Sequence, residues 1–559
     1  MASAHPIPKP GVERVNIVTF LEAMARRQPE TDAIIFPVKR DAVGKLQYRH
    51  HSFRELDAEA TAIASGLEAY GITRGMRTVL MVKPSFEFFA IAFAMFKNGA
   101  VPVLVDPGIG LKNLKTCLGE AEPGAFIGIP FAHAARVLLG WARSTIRKKV
   151  TVGRRVFWGG TTLDQIRATG RDRALEPAAT GADDLAAILF TSGSTGVPKG
   201  VVYNHGNFVA QVDAIRELYG IEPGEIDLPT FPLFALFDPA LGMTAIIPDM
   251  DPTRPARVVP ENVIQPILDF GVTNMFGSPA LLDTVGRHGA AAGVKLPSLK
   301  RVISAGAPVS AAIMERFSTM LTPGAKIVTP YGATESLPVT SVSSHTVLSD
   351  TRVQTESGRG VCVGKPAPNA EVAVIGIRDE PIELWSDDLE LSQGEIGEIV
   401  VKGPMVTQAY YNRERSTALA KIQDGQAIRH RMGDLGYFDE QGRLWFCGRK
   451  AHRVELDDGT LFTVMCEGIF NTHPQVNRCA LVGVECNGHR VPVICVELES
   501  DASARDAWFP GELRELALKH DLTRGIAHFL VHSGFPVDIR HNAKIDRYDL
   551  ARWAQGRVA

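Results

Sequence analysis

The chain carries no charge imbalance. Its 60 Lys and Arg stand against 62 Asp and Glu, a formal net charge of -2. It therefore has none of the basic excess by which proteins hold nucleic acid, and no nucleic-acid partner is expected. No apolar run reaches the roughly 18 residues of a membrane-spanning helix, so no integral membrane segment is expected. The N-terminal stretch MASAHPIPKPGVERVN lacks the apolar centre of a secretory signal. Residues 1–15 read as a polar, frayed arm, and the expected location is cytoplasmic. There is no C-x-x-C pair. Cys117, Cys362, Cys447, Cys466, Cys479, Cys486 and Cys495 follow no regular spacing. Those from 447 to 495 flank His473, but the spacing fits no standard zinc module. In a reducing compartment they read as small buried apolar residues.

What is present is ample core material: 559 residues, 45% hydrophobic and 22% charged, enough for two or more domains at about 100–200 residues each. From Phe20 to about Ile327, helical patterns such as LDAEATAIASGLEAYG and FEFFAIAFAMFKNGA alternate with strand-like TVLMV and VPVLVD. That alternation predicts an α/β architecture with largely parallel sheets flanked by helices. After about residue 390, EIGEIVVKGP, RLWFCG and RVEL change to the alternating pattern of a small antiparallel unit, with a turn at Asp439–Gly442. A last block of short strands (CALVGVE, VPVICVEL) and helices (ELRELALKH, YDLARWA) reads as a small α+β domain. The boundary is placed at Gly448–His452, giving a large domain over 1–447 and a small one over 448–559. The most basic run, RKKVTVGRR at 147–155, could dock a partner or an acidic membrane surface, but reads first as a solvated loop face.

The most informative stretch is LFTSGSTGVPKGVVYNH at 189–205. An apolar strand enters Thr191-Ser192-Gly193-Ser194-Thr195-Gly196, followed by Lys199 and a second strand. Glycines let backbone N–H groups approach an anion, hydroxyls donate hydrogen bonds, and lysine adds a compact charge. This reads as a polyphosphate cradle, with a flexible Gly/Ser hairpin as the alternative. It does not align with G-x-x-x-x-G-K-[ST], and a strand follows it where a P-loop NTPase has a helix.

The order TSGSTGVPKG resembles the signature of the adenylate-forming enzymes, which include acyl-CoA synthetases, adenylation domains and luciferases. The resemblance extends over essentially the whole chain, and it implies ATP and Mg²⁺ as cofactors. Tyr331-Gly332-Ala333-Thr334-Glu335 is similar to the family's Y-G-x-T-E. It implies that Tyr331 stacks on adenine, Thr334 contacts the α-phosphate and Glu335 binds Mg²⁺, a hard cation suited to carboxylate and phosphate oxygen. Gly306-Ala307-Pro308 resembles the adenine-side turn. Asp434, in Gly433-Asp434-Leu435-Gly436, resembles the family's ribose-binding acid, with Met432 where Thr is usual. Gly448-Arg449 matches the hinge G-R, and Arg449 is expected to reach the ribose as well. Phe535 to Arg547 resembles the segment that carries the catalytic lysine, here Lys544, after Ala543 where Gly is usual. By resemblance the small domain rotates and brings Lys544 to the reacting carboxylate and α-phosphate, where its ammonium stabilises developing charge.

Two departures bear on substrate and acceptor. The family's P-L-F-H reads Pro232-Leu233-Phe234-Ala235, with Ala235 where a histidine often gates the acyl pocket. The surrounding Phe231–Pro248 and Phe276–Leu282 are strongly apolar, which favours an alkyl acid over an amino acid. The post-hinge segment, Lys450 to Thr463, diverges where acyl-CoA synthetases line a pantetheine channel. With YGATES, PLFALFD and RKAHRVEL, the chain most resembles the olefin β-lactone synthetases of long-chain olefin biosynthesis. That implies adenylation of a 2-alkyl-3-hydroxy acid and attack by its own 3-hydroxyl, a tethered nucleophile at high effective concentration. It also suggests a short-chain dehydrogenase and an α/β-hydrolase as pathway partners. His452 and His541 are candidates by position for the base. The alternatives are an acyl-CoA synthetase or fatty acyl-AMP ligase and, in a different class, a non-catalytic acyl- or nucleotide-binding module. The intact Lys199, Glu335, Asp434, Arg449 and Lys544 argue against the last.

Overall fold

The computed structural model describes residues 14–105, 109–191, 198–499, 509–537 and 545–558. The N-terminal arm before Arg14, the cradle residues Ser192 to Gly196, and both His541 and Lys544 lie outside the described residues.

Two large sheets hold the first three-quarters of the chain. One has seven strands in the order Thr161–Thr162, Lys148–Thr151, Ala125–Gly128, Arg77–Met81, Val101–Val105, Leu185–Thr191 and Lys199–Asn204. All its pairs are parallel except the last, a hairpin in which Thr191 faces Lys199. The second sheet has 14 strands. Its parallel part runs through Asp32–Arg40, Thr244–Ile246, Ile226–Pro229, Asn274–Phe276, Arg301–Ile303 and Lys326–Ala333. There the chain reverses in a hairpin with Ser336–Ser343 and continues antiparallel.

Besides the early hairpin of Asp32–Arg40 with Leu46–Ser52, the antiparallel part of this sheet thus begins at Ser336, well before residue 390. The turn between Ala333 and Ser336 folds the strand back on itself, so the sheet changes sense inside the Y-G-x-T-E segment. The basic run also differs from its loop reading. Lys148–Thr151 is a strand paired with Ala125–Gly128, because Val150 is buried while Arg147, Arg154 and Arg155 stay exposed at its ends.

Helix Phe86–Asn98 is apolar on nearly every side, and all but one of its residues are buried. A helix without a polar face belongs inside, between other layers. Its buried Lys97 ammonium is paired with Glu22 at 3.0 Å and Asp57 at 2.8 Å, which tie it to helices Val18–Arg27 and Phe53–Tyr70. Phe53–Tyr70 starts on a Ser52/Glu55 capping box and stops at Gly71 in the left-handed conformation, the expected start and stop chemistry of a helix.

The C-terminal strands Val476–Cys486, His489–Leu498 and His528–Val531 form a separate sheet, packed against helices Thr463–Phe470, Phe509–Leu518 and Arg547–Gln555. Six of the seven cysteines are buried and Cys486 is partly exposed. Burial pushes the Cys362 thiol up to about 11, so these cysteines are packing residues with little thiolate character. Among the described residues no helix is long and apolar enough to cross a membrane.

Candidate active site

The hairpin of Leu185–Thr191 with Lys199–Asn204 belongs to the seven-stranded sheet, and the Tyr331–Glu335 turn belongs to the 14-stranded one. A third segment joins them. Residues 409–411 add to strand Lys199–Asn204 through Val202 N–H to the Ala409 carbonyl at 3.1 Å and Tyr411 N–H to the Gly200 carbonyl at 2.7 Å. This strap places the Tyr410 ring under the Lys199 ammonium, 4.9 Å from nitrogen to ring centre, a favourable cation–π distance. The Tyr410 hydroxyl donates to Glu335 Oε1 at 2.6 Å.

Glu335 is held from its backbone as well. Its carbonyl accepts from Thr407 N–H at 2.9 Å and Thr407 Oγ1 at 3.1 Å. The Lys421 ammonium in turn caps the Thr407 carbonyl and hydroxyl. Burial pulls Lys421 down to about 7, against the attraction of Glu335. Beside it, burial and the Lys421 charge hold His430 well below its ordinary range. The Thr334 carbonyl accepts from the Tyr203 hydroxyl. The turn is therefore fixed by strands on both sides, while the free Glu335 oxygen and Thr334 border the cavity.

The second polar cluster lies on facing strands. Asp434 and Arg449 sit directly opposite in the antiparallel pair Ala427–Phe438 and Leu444–Arg449. Arg449 Nε is 3.0 Å from Asp434 Oδ1, and the Tyr331 hydroxyl donates to Oδ2 at 2.7 Å. Burial first, then the Asp434 charge, drives the Tyr331 phenol well above its usual range, so it stays a donor. The Asp434 charge holds Arg449 firmly protonated. Gly448 has φ +136, and a Cβ there would lie 2.4 Å from Thr463 Oγ1; only glycine fits before Arg449.

Both clusters open into one cavity of about 3150 Å³, which Gly306, Ala307, Pro308, Gly332, Thr334, Glu335, Asp434 and Arg449 help to line. Ile545 and Asp546, next to Lys544 in the sequence, line it too. Its apolar end is walled by Phe231, Leu233, Phe234, Phe237 and Phe276. Ala235 is fully buried behind this wall, and Phe234 and Leu236 present the surface there. His452 borders the cavity, but burial, then Arg547 and Arg449, lower it to about 3; a group that acidic is a weak proton acceptor at neutral pH.

The donor set suits a magnesium ion shared with phosphate. Mg²⁺ is commonly held by one or two carboxylates plus substrate phosphates. Glu335 offers one carboxylate oriented by Tyr410, and the described residues contain no cluster of three or more His, Cys, Asp or Glu that would make an all-protein cage.

Tyr203, Thr407, Tyr410 and Lys421 are the site residues that motif reading misses. The one sequence cue is the hydroxyl-rich TQAYY at 407–411, which carries no recognisable spacing of its own.

Comparison with known proteins identifies the family. The AMP-binding enzyme family matches residues 21–411. Olefin beta-lactone synthetase of Xanthomonas campestris pv. campestris is 52% identical over 551 residues, covering 97% of this chain and 98% of that protein. Its counterpart from Stenotrophomonas maltophilia is 52% identical over 553 residues, with 97% and 98% covered. Among solved structures, amide bond synthetase McbA from Marinactinospora thermotolerans superposes with a TM-score of 0.77 at 21% identity, covering 96% of this chain and 99% of that one, a likeness of fold.

Proposed function

Because this chain belongs to the AMP-binding enzyme family and is an ATP-dependent adenylate-forming ligase, we propose that it converts a long-chain 2-alkyl-3-hydroxy fatty acid into a β-lactone. The observation that carries the reading is the single cavity in which an apolar wall at Phe231, Phe234 and Phe276 meets the polar end at Lys199, Glu335, Asp434 and Arg449. The 52% identity to proteins named olefin beta-lactone synthetase, over nearly the full length of both chains, supports the choice of product.

In this reading Asp434 and Arg449 hold the ribose, Tyr331 and the Gly306–Pro308 turn bracket the base, and the Thr191–Gly196 loop with Lys199 holds the phosphates. Glu335 would hold Mg²⁺, which would supply positive charge to offset the charge of the phosphates. The acid's carboxylate oxygen attacks the α-phosphorus and pyrophosphate departs, with Lys544 brought in on the segment 448–559. The 3-hydroxyl oxygen then attacks the acyl carbon; the bond to AMP breaks and one proton is released. Both steps gain from positioning, since the second nucleophile is already part of the bound molecule. A short-chain dehydrogenase and an α/β-hydrolase fit as neighbouring activities, and the cytoplasm fits as the compartment.

The test is product analysis by mass spectrometry with the acid, ATP and Mg²⁺, with and without coenzyme A. The expected product is lighter than the acid by one water, with AMP formed stoichiometrically and no thiol required. Turnover that needs coenzyme A and yields a thioester would replace this reading with an acyl-CoA synthetase.

A further inference from the structure

The segment from Ile109 to Gly160 breaks the charge balance of the chain. It holds nine Lys and Arg against only Glu120 and Glu122, whereas the whole protein carries -2. Both acids are already engaged, Glu120 with Arg413 at 2.7 Å and Glu122 near Arg77 at 3.9 Å. Lys112, Lys115, Arg147, Arg154 and Arg155 are exposed and make no ion pair among the described residues.

The same surface carries large apolar side chains in water. Leu138 is 81% exposed, Phe131 79%, Phe157 69% and Leu111 61%. They are neighbours in space as well as in sequence. Phe157 packs edge-on against Trp158, whose ring stacks on His133 of helix Pro130–Leu139 at 5.4 Å. The ideal Cβ position of Gly153 lies 3.9 Å from Pro130, which brings the Arg154–Phe157 loop to the start of that helix. Leu111, Phe131 and Leu138, on helices Leu111–Ala121 and Pro130–Leu139, also border the catalytic cavity.

We propose that this face docks on an anionic lipid bilayer, with Phe131, Leu138 and Phe157 entering the headgroup layer and Arg154, Arg155, Lys112 and Lys115 bound to lipid phosphates. Apolar side chains ringed by unpaired cations are the chemistry of an interfacial anchor. A second copy of the chain fits poorly, because a two-fold contact would press the same cations against each other. The docking stands on this geometry alone. That the acid then enters the cavity from the bilayer rests on the function proposed above.

Sedimentation with vesicles of phosphatidylcholine, and of phosphatidylcholine with one-third phosphatidylglycerol, tests the docking. The protein should pellet with the anionic vesicles and be released by high salt. Arg154→Gln with Arg155→Gln should weaken binding roughly 25-fold, at about fivefold per charge, and leave turnover of a short, water-soluble acid unchanged. Phe131→Ser with Leu138→Ser should abolish pelleting with an unchanged melting temperature; if that variant unfolds, the arginine variant decides. No binding to anionic vesicles, or equal binding by the arginine variant, overturns the proposal. So does a concentration-dependent dimer that the arginine variant strengthens and that pellets with no vesicle. If docking holds while the lactone assay fails, only the route of the acid falls.

Discussion

Replacing Tyr410 with Phe isolates one hydrogen bond. Tyr410 is 7% exposed, and the change keeps its ring, so the packing and the Lys199 contact at 4.9 Å survive. What is lost is the donor 2.6 Å from Glu335 Oε1. A hydrogen bond to a charged group contributes about 1.5–3 kcal/mol. Glu335 borders an open cavity, so water recovers part of this, leaving about 1–2 kcal/mol of lost orientation, or roughly 5–30-fold. The loss should appear where the carboxylate acts. In a pyrophosphate-release assay titrated with Mg²⁺, the half-maximal concentration should rise by roughly tenfold, with most of the rate restored at saturating Mg²⁺ and the melting temperature almost unmoved. Glu335→Gln should lose activity that Mg²⁺ does not restore. An Mg²⁺ curve for Tyr410→Phe that overlays wild type, beside a crippled Glu335→Gln, would refute the idea that Tyr410 orients a metal ligand.

Lys544→Ala should lower pyrophosphate release by about 10²–10³ while calorimetric ATP binding stays near wild type; normal adenylation kinetics would remove Lys544 from the chemistry. Asp434→Ala should raise the KM for ATP more than tenfold and cost about 2 kcal/mol of stability. Arg449 loses a partner but is 35% exposed at its side chain, so water takes up part of the charge; an unchanged KM would contradict the ribose role. Asp227 and Asp238 are both buried and interact electrostatically, and burial lifts both carboxyls above their ordinary range, Asp238 further through the Asp227 charge. The folded state therefore binds more protons than the unfolded one above about pH 4, and wild-type stability falls as pH rises through that window. Asp238→Asn, neutral and still a donor, should melt with a shallower pH slope and gain on wild type between about pH 5 and 8; parallel slopes would show that the pair does not hold the extra proton.

The helices and strands of the parallel region were readable because their periods differ: FEFFAIAFAMFKN has no polar face and becomes the buried helix, whereas VPVLV is a short apolar run and becomes a central strand. The reversal at Ser336 was not readable from pattern, since SLPVTSVS alternates as well in either direction. Motifs pointed to Tyr331, Asp434 and Arg449, which the fold brings into one cluster. They led to neither Tyr410 nor Lys421, whose places depend on contacts across more than 70 residues of chain, from Glu335 to Tyr410 and beyond. Ala235 shows the opposite limit: its position in P-L-F-A suggested a pocket residue, yet one turn of helix directs it into the core.

The strap at 409–411 has a consequence for how the protein fails. Lys199 comes from one sheet, Glu335 from the other, and Tyr410 is stitched to the first while bonded to the second. No single sheet holds a complete constellation. Slight separation of the two layers would leave each sheet's own ladder intact while pulling the site apart. Activity is thus a finer gauge of sheet-to-sheet registry than circular dichroism, and in rising denaturant turnover should vanish before secondary structure does.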